Sequence, residues 1–246
     1  MFQVVLIGFG AGALYALAAL GIVLIHRGSG VVNFAQGGFG LVGAFVYWEL
    51  HVERGSGLFQ GFWPALVLAM LAPAALGFAT HYLLMKPLAR AAPVSRLIAT
   101  VAVLGVITAI ATLYFNTNVE IVPMTLPTGA VSIFGSKVGV NILLLALISV
   151  GVTTALWAFY RWTNFGRATS AVSENQRALA SLGRSPDLVA GLNWAIGGAL
   201  AGFAGVFLTM LIGLSADSLT NLLVPSLAVK VCGPRVFCTT GGPLKV

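Results

Sequence analysis

Residues 27–45 read RGSGVVNFAQGGFGLVGAF and lie between two apolar stretches of the chain. This segment carries the amides of Asn33 and Gln36 together with six glycines. An amide in hydrocarbon must find a hydrogen-bond partner, and glycines let the backbone bend where it lines a cavity. On a helix, residues three apart share a face, so the spacing predicts one polar face within an apolar span. Two interpretations stay open: the face lines a pathway, or it bonds neighbouring helices.

Outside this segment the chain has the composition of a membrane protein. Its 246 residues are 59% hydrophobic and 8% charged, with a mean hydropathy of +0.99, whereas a soluble domain carries about a quarter charged residues. A helix needs about 20 apolar residues to cross the hydrocarbon of a bilayer. Uncharged runs of that size predict an all-α integral membrane protein, a polytopic transmembrane helix bundle with about six full spans. The predicted spans are residues 1–25, 28–48, 55–80, 97–119, 138–160 and 188–216.

The formal net charge of +7 is explained by where Lys and Arg lie. Ten Lys and Arg precede the end of the last full span, and with alternating spans eight of them fall on one side of the membrane, whereas Arg54 and Lys137 fall on the other. The remaining three, Lys230, Arg235 and Lys245, follow the last full span and are not counted. Because cytoplasmic loops are enriched in Lys and Arg, this asymmetry predicts an N-terminus outside, a cytoplasmic loop at 161–187 and an external loop at 116–137. The external loop contains prolines and turn formers that predict a small hairpin or an irregular cap. The charge therefore indicates a lipid bilayer as partner and no nucleic acid.

Groups that would indicate catalysis or ion coupling are scarce in the predicted spans. No acidic residue lies in a span, and His81 at one margin is the only base, whereas proton-coupled and many ion-coupled transporters keep such residues there. No nucleophile–base pair or carboxylate dyad is visible. Cys232 and Cys238 are the only cysteines, and a metal site needs about four ligands. We therefore predict no enzyme activity, no metal and no cofactor.

The predicted cytoplasmic loop contains a second candidate functional element. Residues 167–182 are rich in Ala, Ser, Glu and Arg and predict a helix that is only weakly amphipathic. Gly183 is placed to end this helix, and Pro186 prevents it from resuming. A short helix held between two long spans can transmit force from a soluble partner, or it can be an ordinary linker. The sequence leaves both interpretations open.

Two separated motifs give the chain a family resemblance. Residues 16–24 have the form A-L-x-A-L-G-x-x-L, and residues 31–37 have the form x-x-N-F-A-x-G. Together they resemble the N-terminal signature of branched-chain amino acid ABC-transporter permeases of the LIV type. Residues 166–175 have the form G-R-A-x-x-A-V-x-x-N, and with Gly183 they resemble the coupling loop of the same family. The resemblance covers most of residues 8–225.

The resemblance implies a permease subunit of an ABC importer that forms the translocation pathway for branched-chain amino acids or related small polar solutes, such as urea or amides. It implies a multi-pass position in the cell (inner) membrane, a second permease subunit of the same or another kind, cytoplasmic ATPase subunits and an extracytoplasmic substrate-binding protein. The permease domain would be residues 1–230. The predicted pathway residues are Asn33, Phe34, Gln36 and Gly37, and the predicted ATPase-coupling residues are Glu174, Asn175, Arg177 and Gly183.

The chain departs from the family pattern in two places. The ABC-importer coupling signature E-A-A-x-x-x-G would put an acid at Arg177, so Glu174, one helical turn earlier, is the candidate to replace it. Residues 231–246 form an atypical tail, which a truncated gene, a frameshift or a real short variant would explain. Two alternatives to the importer follow: an ATP-independent secondary transporter or channel for a small solute, and a truncated non-functional permease. The sequence has no G-x-x-x-x-G-K-S/T phosphate-binding loop, so another chain would bind ATP.

Overall fold

The computed structural model describes residues 2–53, 61–115, 122, 129–133, 136–181 and 183–215. Long helices dominate this part of the chain. The helices are α1 (Phe2–Ser29), α2 (Gln36–Trp48), α3 (Phe62–Thr80), α4 (Pro93–Phe115), α5 (Val140–Trp162), α6 (Asn164–Glu174), α7 (Gln176–Ser181) and α8 (Pro186–Ile212). Short π-helical turns at Glu49–Glu53 and His81–Met85 continue α2 and α3, and a 3₁₀ turn covers Pro87–Arg90.

The predicted all-α polytopic membrane bundle is confirmed. Among the described residues, five helices are long and apolar enough to cross a membrane. The predicted span 28–48 is not one helix, because α1 continues to Ser29 and a non-helical segment at 30–35 precedes the 13-residue α2. The 13 residues of α2 rise about 20 Å, and the π-helical turn Glu49–Glu53 extends this helix further. The outside position of the N-terminus stays a prediction.

Helix α8 forms the centre of the bundle. Of its span window 78% is buried, compared with 17% for the windows of α4 and α5. Glycines let α8 approach its neighbours closely: a Cβ on Gly43 of α2 or on Gly202 of α8 would overlap the backbone of α3 at Ala69. The outer faces of α4 and α5 carry exposed leucines such as Leu113 and Leu147. Apolar surface of this extent is suited to lipid or to a membrane partner.

Part of the predicted external loop forms an antiparallel strand pair. Strand β1 (Ala130–Ile133) pairs with β2 (Ser136–Gly139), with Ala130 opposite Gly139. Val140 N at the start of α5 donates to Gly129 O at 2.8 Å, which attaches the pair to that helix. The rest of the loop at 116–137, apart from residues 122 and 129, and the predicted tail at 231–246 lie outside the described residues.

Candidate functional site

The first candidate site is the break between α1 and α2. Helix α1 ends at Ser29, whose Oγ donates to a carbonyl of its own helix at 2.8 Å. Gly30 follows with a φ of +69°, a left-handed conformation that glycine adopts without the steric cost of a side chain. Asn33 then forms a local turn in which its Oδ1 accepts a hydrogen bond from Ala35 N at 2.9 Å. The backbone is therefore non-helical up to the start of α2.

A buried pair of amides holds this break together. Asn33 Nδ2 donates to Gln36 Oε1 at 3.2 Å. Gln36 Nε2 in turn donates to Gly197 O of α8 at 3.0 Å and to Ala18 O of α1 at 3.5 Å. Asn33 is 0% exposed and Gln36 is 3% exposed, and polar groups at such depth are costly without partners. We refer to Asn33, Gln36, Ala18 and Gly197 as the amide cluster.

The amide cluster lies near the middle of the bundle's depth. Gly197 is about 16 Å along α8 from its first residue, Pro186, which is about half of the hydrocarbon thickness. Helix α4 also reaches the break, because Phe34 N donates to Thr100 Oγ1 at 3.3 Å. In transporters, helices broken at mid-depth commonly surround the substrate site.

The structure corrects one step of the sequence argument about this site. Asn33 lies in the non-helical segment, so Asn33 and Gln36 do not share a helix face as their spacing predicted. They meet because the turn at Asn33 carries its side chain to the start of α2. Of the predicted pathway residues, Asn33, Gln36 and Gly37 are buried and Phe34 is partly buried. Their place in a translocation pathway stays a prediction, and in this conformation the amides bond neighbouring elements.

The second candidate site is the surface formed by α6 and α7. The predicted single helix over 167–182 is wrong, because the backbone is extended at Asn175, with φ −155° and ψ 102°. The predicted weak amphipathicity is also wrong for α6, because one face of this helix is buried and the opposite face is polar and exposed. Gly183 follows α7 with a φ of +76°, as expected of a glycine that ends a helix. The buried residues of α6 are Gly166, Ala168, Thr169 and Val172, and the exposed ones include Arg167, Ser170, Ser173 and Glu174.

The predicted coupling residues follow one another along this surface. Glu174 is the last residue of α6 and Asn175 forms the break, and both are exposed. Arg177 lies in α7, and its side chain is outside the described part of the structure. Gly183 is exposed. A partner protein can reach Glu174 and Asn175 directly, and the coupling role of all four residues stays a prediction.

Helix α6 is anchored to the membrane-spanning helices at its start and along its buried face. Thr163 caps its start by accepting a hydrogen bond from Gly166 N at 3.3 Å. Val172 packs with Leu179 of α7 and Val189 of α8 in a small apolar core of its own. A displacement of α6 must therefore move the beginning of α8 or break this packing.

A polar side chain of α8 joins α6 to two further helices. The Tyr160 hydroxyl of α5 donates to Asn193 Oδ1 at 2.7 Å, and Asn193 Nδ2 donates to Thr169 Oγ1 of α6 at 3.1 Å. Asn193 is 0% exposed, and a Cβ on Gly28 of α1 would overlap it. We call Tyr160, Thr169 and Asn193 the polar hub. It brings α1, α5, α6 and α8 together at one point.

The next residue of α8 extends this connection to the helix break. Trp194 is fully buried, and its Nε1 donates to Ser29 Oγ at 3.1 Å. Ser29 is the last residue of α1 and precedes Gly30. Two consecutive residues of α8 therefore bond to the surface helix α6 and to the beginning of the break.

Sequence reasoning did not identify the polar hub. A signal for Asn193 was present, because it is an amide within the apolar run 188–216, the same feature that singled out Asn33 and Gln36. Thr169 and Tyr160 carry no comparable signal, because hydroxyls are ordinary on a loop helix and at the end of a span. Only the fold shows that these side chains meet.

A polytopic bundle in which a non-helical segment leads from the end of α1 to a helix that starts at mid-depth, with a surface helix bonded to the central helix α8, has the architecture of a membrane transport protein. The model of the family described as "Branched-chain amino acid transport system / permease component" matches residues 4–233. The chain belongs to this family, and it is a permease subunit of an ABC importer. The family is one of transport permeases and not a family of enzymes.

Relatives with curated names agree with this family. The high-affinity branched-chain amino acid transport system permease protein LivH of Escherichia coli (strain K12) is 25% identical over 226 residues, with 84% of this chain and 70% of the relative covered. BraD of Pseudomonas aeruginosa, of the same description, is 26% identical over 219 residues with the same coverage. The probable branched-chain amino acid transport permease protein LivH of Methanocaldococcus jannaschii is 33% identical over 206 residues, covering 78% and 61%. No solved structure matches the chain significantly.

Proposed function

We propose that this chain forms half of a translocation pathway for branched-chain amino acids, and that α6 and α7 receive the movement of cytoplasmic ATPase subunits. The observation that carries the proposal is the hydrogen-bonded connection from α6 through Asn193 and Trp194 to Ser29. A surface helix that only linked two spans would not need a buried bond to Asn193, the neighbour of the residue that bonds to the end of α1. The names of the relatives supply the substrate class.

The pathway is assigned to the break because backbone donors are present there at mid-depth. Ala35 precedes α2, and no side chain caps the start of this helix. The first N–H groups of a helix lack carbonyl partners within it and favour an anion, and an amino acid substrate carries a carboxylate. Leu104 and Ile107 of α4 lie over Gly38 in this conformation. Access of the substrate would therefore require α4 to move away from the start of α2.

Coupling would use the α6–α7 surface as the contact with the ATPases. Glu174, Asn175, Arg177 and Gly183 would dock on an ATPase subunit, and the buried face of α6 would carry its movement to α8. Because Gly197 lies one helical turn beyond Asn193, a rotation of α8 at the polar hub also displaces the acceptor of Gln36. The amide cluster would then loosen as the pathway opens, so the amides would support a gate.

The remaining features of the proposal follow from the family and from charge. The importer would lie in the cell (inner) membrane, with a second permease subunit, identical or different, and an extracytoplasmic substrate-binding protein. The N-terminus would lie outside, and α6 and α7 would lie in the cytoplasm. The excess of Lys and Arg on the side of α6 supports this orientation.

Reconstitution tests the proposal directly. The chain would be placed in proteoliposomes with the ATPases and the second permease subunit, and uptake of labelled leucine would be measured. Uptake should require both ATP at the ATPase side and the binding protein at the other side. Vesicles that lack only this chain are the control and should show background uptake. Uptake driven by an ion gradient without ATP would overturn the proposal.

A further inference from the structure

A cleft opens between α1, α5 and α6 at the end of the bundle where α6 lies. Its volume is about 640 Å³. Its walls change along the helix axes from apolar side chains to arginines. On α1 the two parts are about 10 Å apart, because Leu20 and Arg27 are separated by seven residues of helix. The apolar part includes Leu20, Leu24 and Leu156, and the basic rim consists of Arg27, Arg161 and Arg167.

The positive charge of this rim exceeds the negative charge of the described residues around it. Among the described residues, neither Arg27 nor Arg161 has a carboxylate within ion-pair distance, and Arg167 Nη2 donates to the neutral Asn164 Oδ1 at 2.5 Å. Of the described residues that line the cleft, Glu174 is the one acidic residue. Three guanidinium groups therefore face a single carboxylate. The cleft is suited to a ligand that carries negative charge.

Aromatic side chains place this rim at the boundary between membrane and water. Trp157 and Trp162 of α5 are 61% and 74% exposed and stand on either side of Arg161 in the sequence. Trp157 also lines the cleft. Exposed tryptophans of membrane helices concentrate at the depth of the lipid headgroups. The arginines then lie at headgroup depth, and the apolar part of the cleft lies within the hydrocarbon.

We propose that this cleft binds an anionic phospholipid. Its phosphate lies among Arg27, Arg161 and Arg167, and the beginning of an acyl chain lies along Leu20 and Leu24. A soluble anion would satisfy the arginines but leave the apolar wall without a partner, whereas a phospholipid matches both parts. The bound lipid braces α6 against α1 and α5 beside Tyr160 of the polar hub, which lines the same cleft. The site does not depend on the proposed substrate or on the ATPases.

Lipid titration of the full chain tests this site. The purified, delipidated protein in mild detergent is titrated with phosphatidylglycerol or with phosphatidylcholine, and bound lipid is counted by native mass spectrometry. The paired substitutions Arg27→Gln and Arg161→Gln should weaken phosphatidylglycerol binding about thirty-fold, because each basic group at the lipid surface contributes about fivefold. Phosphatidylcholine binding should not change. The matched control is Arg90→Gln with Arg184→Gln, which removes the same charge away from the cleft and should leave both titrations unchanged.

Three results would overturn the proposal. The first is equal phosphatidylglycerol binding by the cleft variant and the control variant. The second is displacement of phosphatidylglycerol by inorganic phosphate at comparable concentration, which would indicate a site for a soluble anion. The third uses a photoreactive residue in place of Ser170, which lines the cleft. The proposal expects this residue to form a lipid adduct in native membranes. A cross-link from this position to a second permease subunit would assign the cleft to the subunit interface.

Discussion

Replacement of Gln36 by leucine is expected to lower the free energy of unfolding by about 2–4 kcal/mol. Leucine preserves most of the volume but removes the donor to Gly197 O and the acceptor of Asn33 Nδ2. Hydrogen bonds between membrane helices contribute about 0.6 kcal/mol each on average, so the two shorter bonds account for about 1 kcal/mol. The third bond, from Gln36 Nε2 to Ala18 O at 3.5 Å, adds little at that length. The larger part comes from Asn33, which is 0% exposed. Its amide is left without an acceptor, at a cost of about 1–3 kcal/mol.

A double-mutant cycle separates these two contributions. Asn33→Ala alone removes the donor to Gln36 Oε1, whereas in the double variant with Gln36→Leu neither amide is left unpaired. The double variant should therefore be less destabilised than the sum of the single variants, by about 1–2 kcal/mol. Unfolding is followed by near-UV circular dichroism during titration of mixed micelles with dodecyl sulfate. Thr154→Val is the control, because its exposed hydroxyl bonds within α5 at 2.8 Å, and the change should stay within about 0.5 kcal/mol.

The same variants decide between the two interpretations of the amides. If Gln36→Leu leaves the free energy of unfolding within about 0.5 kcal/mol of the parent, the argument from burial and unpaired groups is refuted. If the single costs add, Asn33 and Gln36 act independently and the bond between them carries no energy. If stability is unchanged but leucine uptake is lost, the amides line the pathway. If stability falls and the folded fraction transports normally, their role is in assembly alone.

Three further predictions concern the glycines and the polar hub. Gly183→Pro should abolish uptake and leave membrane insertion intact, because proline cannot take the φ of +76°. Uptake is measured together with the amount of protein in the membrane fraction, and unimpaired uptake would contradict the coupling role of Gly183. Gly30→Ala should cost about 1–2 kcal/mol of unfolding free energy because of its φ of +69°, whereas Gly12→Ala should not destabilise the protein, because a Cβ added at Gly12 would have no atom within 4 Å. Asn193→Leu should lower leucine transported per ATP hydrolysed by about two- to thirty-fold, the range expected for an energetic coupling of this kind; an unchanged ratio would contradict the role of the polar hub.

The membrane-spanning elements were predictable because hydrocarbon selects for a property that a single sequence displays. The runs at 97–119 and 138–160 each lie within a few residues of α4 and α5. Their length and lack of charge are set by the lipid hydrocarbon around them and do not depend on the details of helix packing. The same argument gave a wrong account of 28–48, because composition does not distinguish an unbroken helix from a broken one in the same hydrocarbon.

The helix break was less predictable because long-range bonds stabilise it. The glycines and amides of 27–45 indicated an unusual segment, but the spacing argument assumed a helix there. Gln36 is held by Gly197, 161 residues later in the chain, and nothing local reveals that acceptor. The break at Asn175 was hidden for a similar reason. The residues after it are helix formers, so nothing local predicts the change of direction that lets Leu179 pack against Val189 of α8.

One turn of α8 connects the two candidate sites. Asn193 and Gly197 are four residues apart, so they lie on the same side of the helix about 6 Å from each other. Asn193 bonds to α6, and Gly197 accepts the hydrogen bond of Gln36. Because this turn is buried among α1, α2 and α3, it cannot yield locally as an exposed loop would. Under the proposed coupling, a movement that enters at α6 would be passed on by α8 as a rigid element, and it would reach the amide cluster without any change in α2 itself.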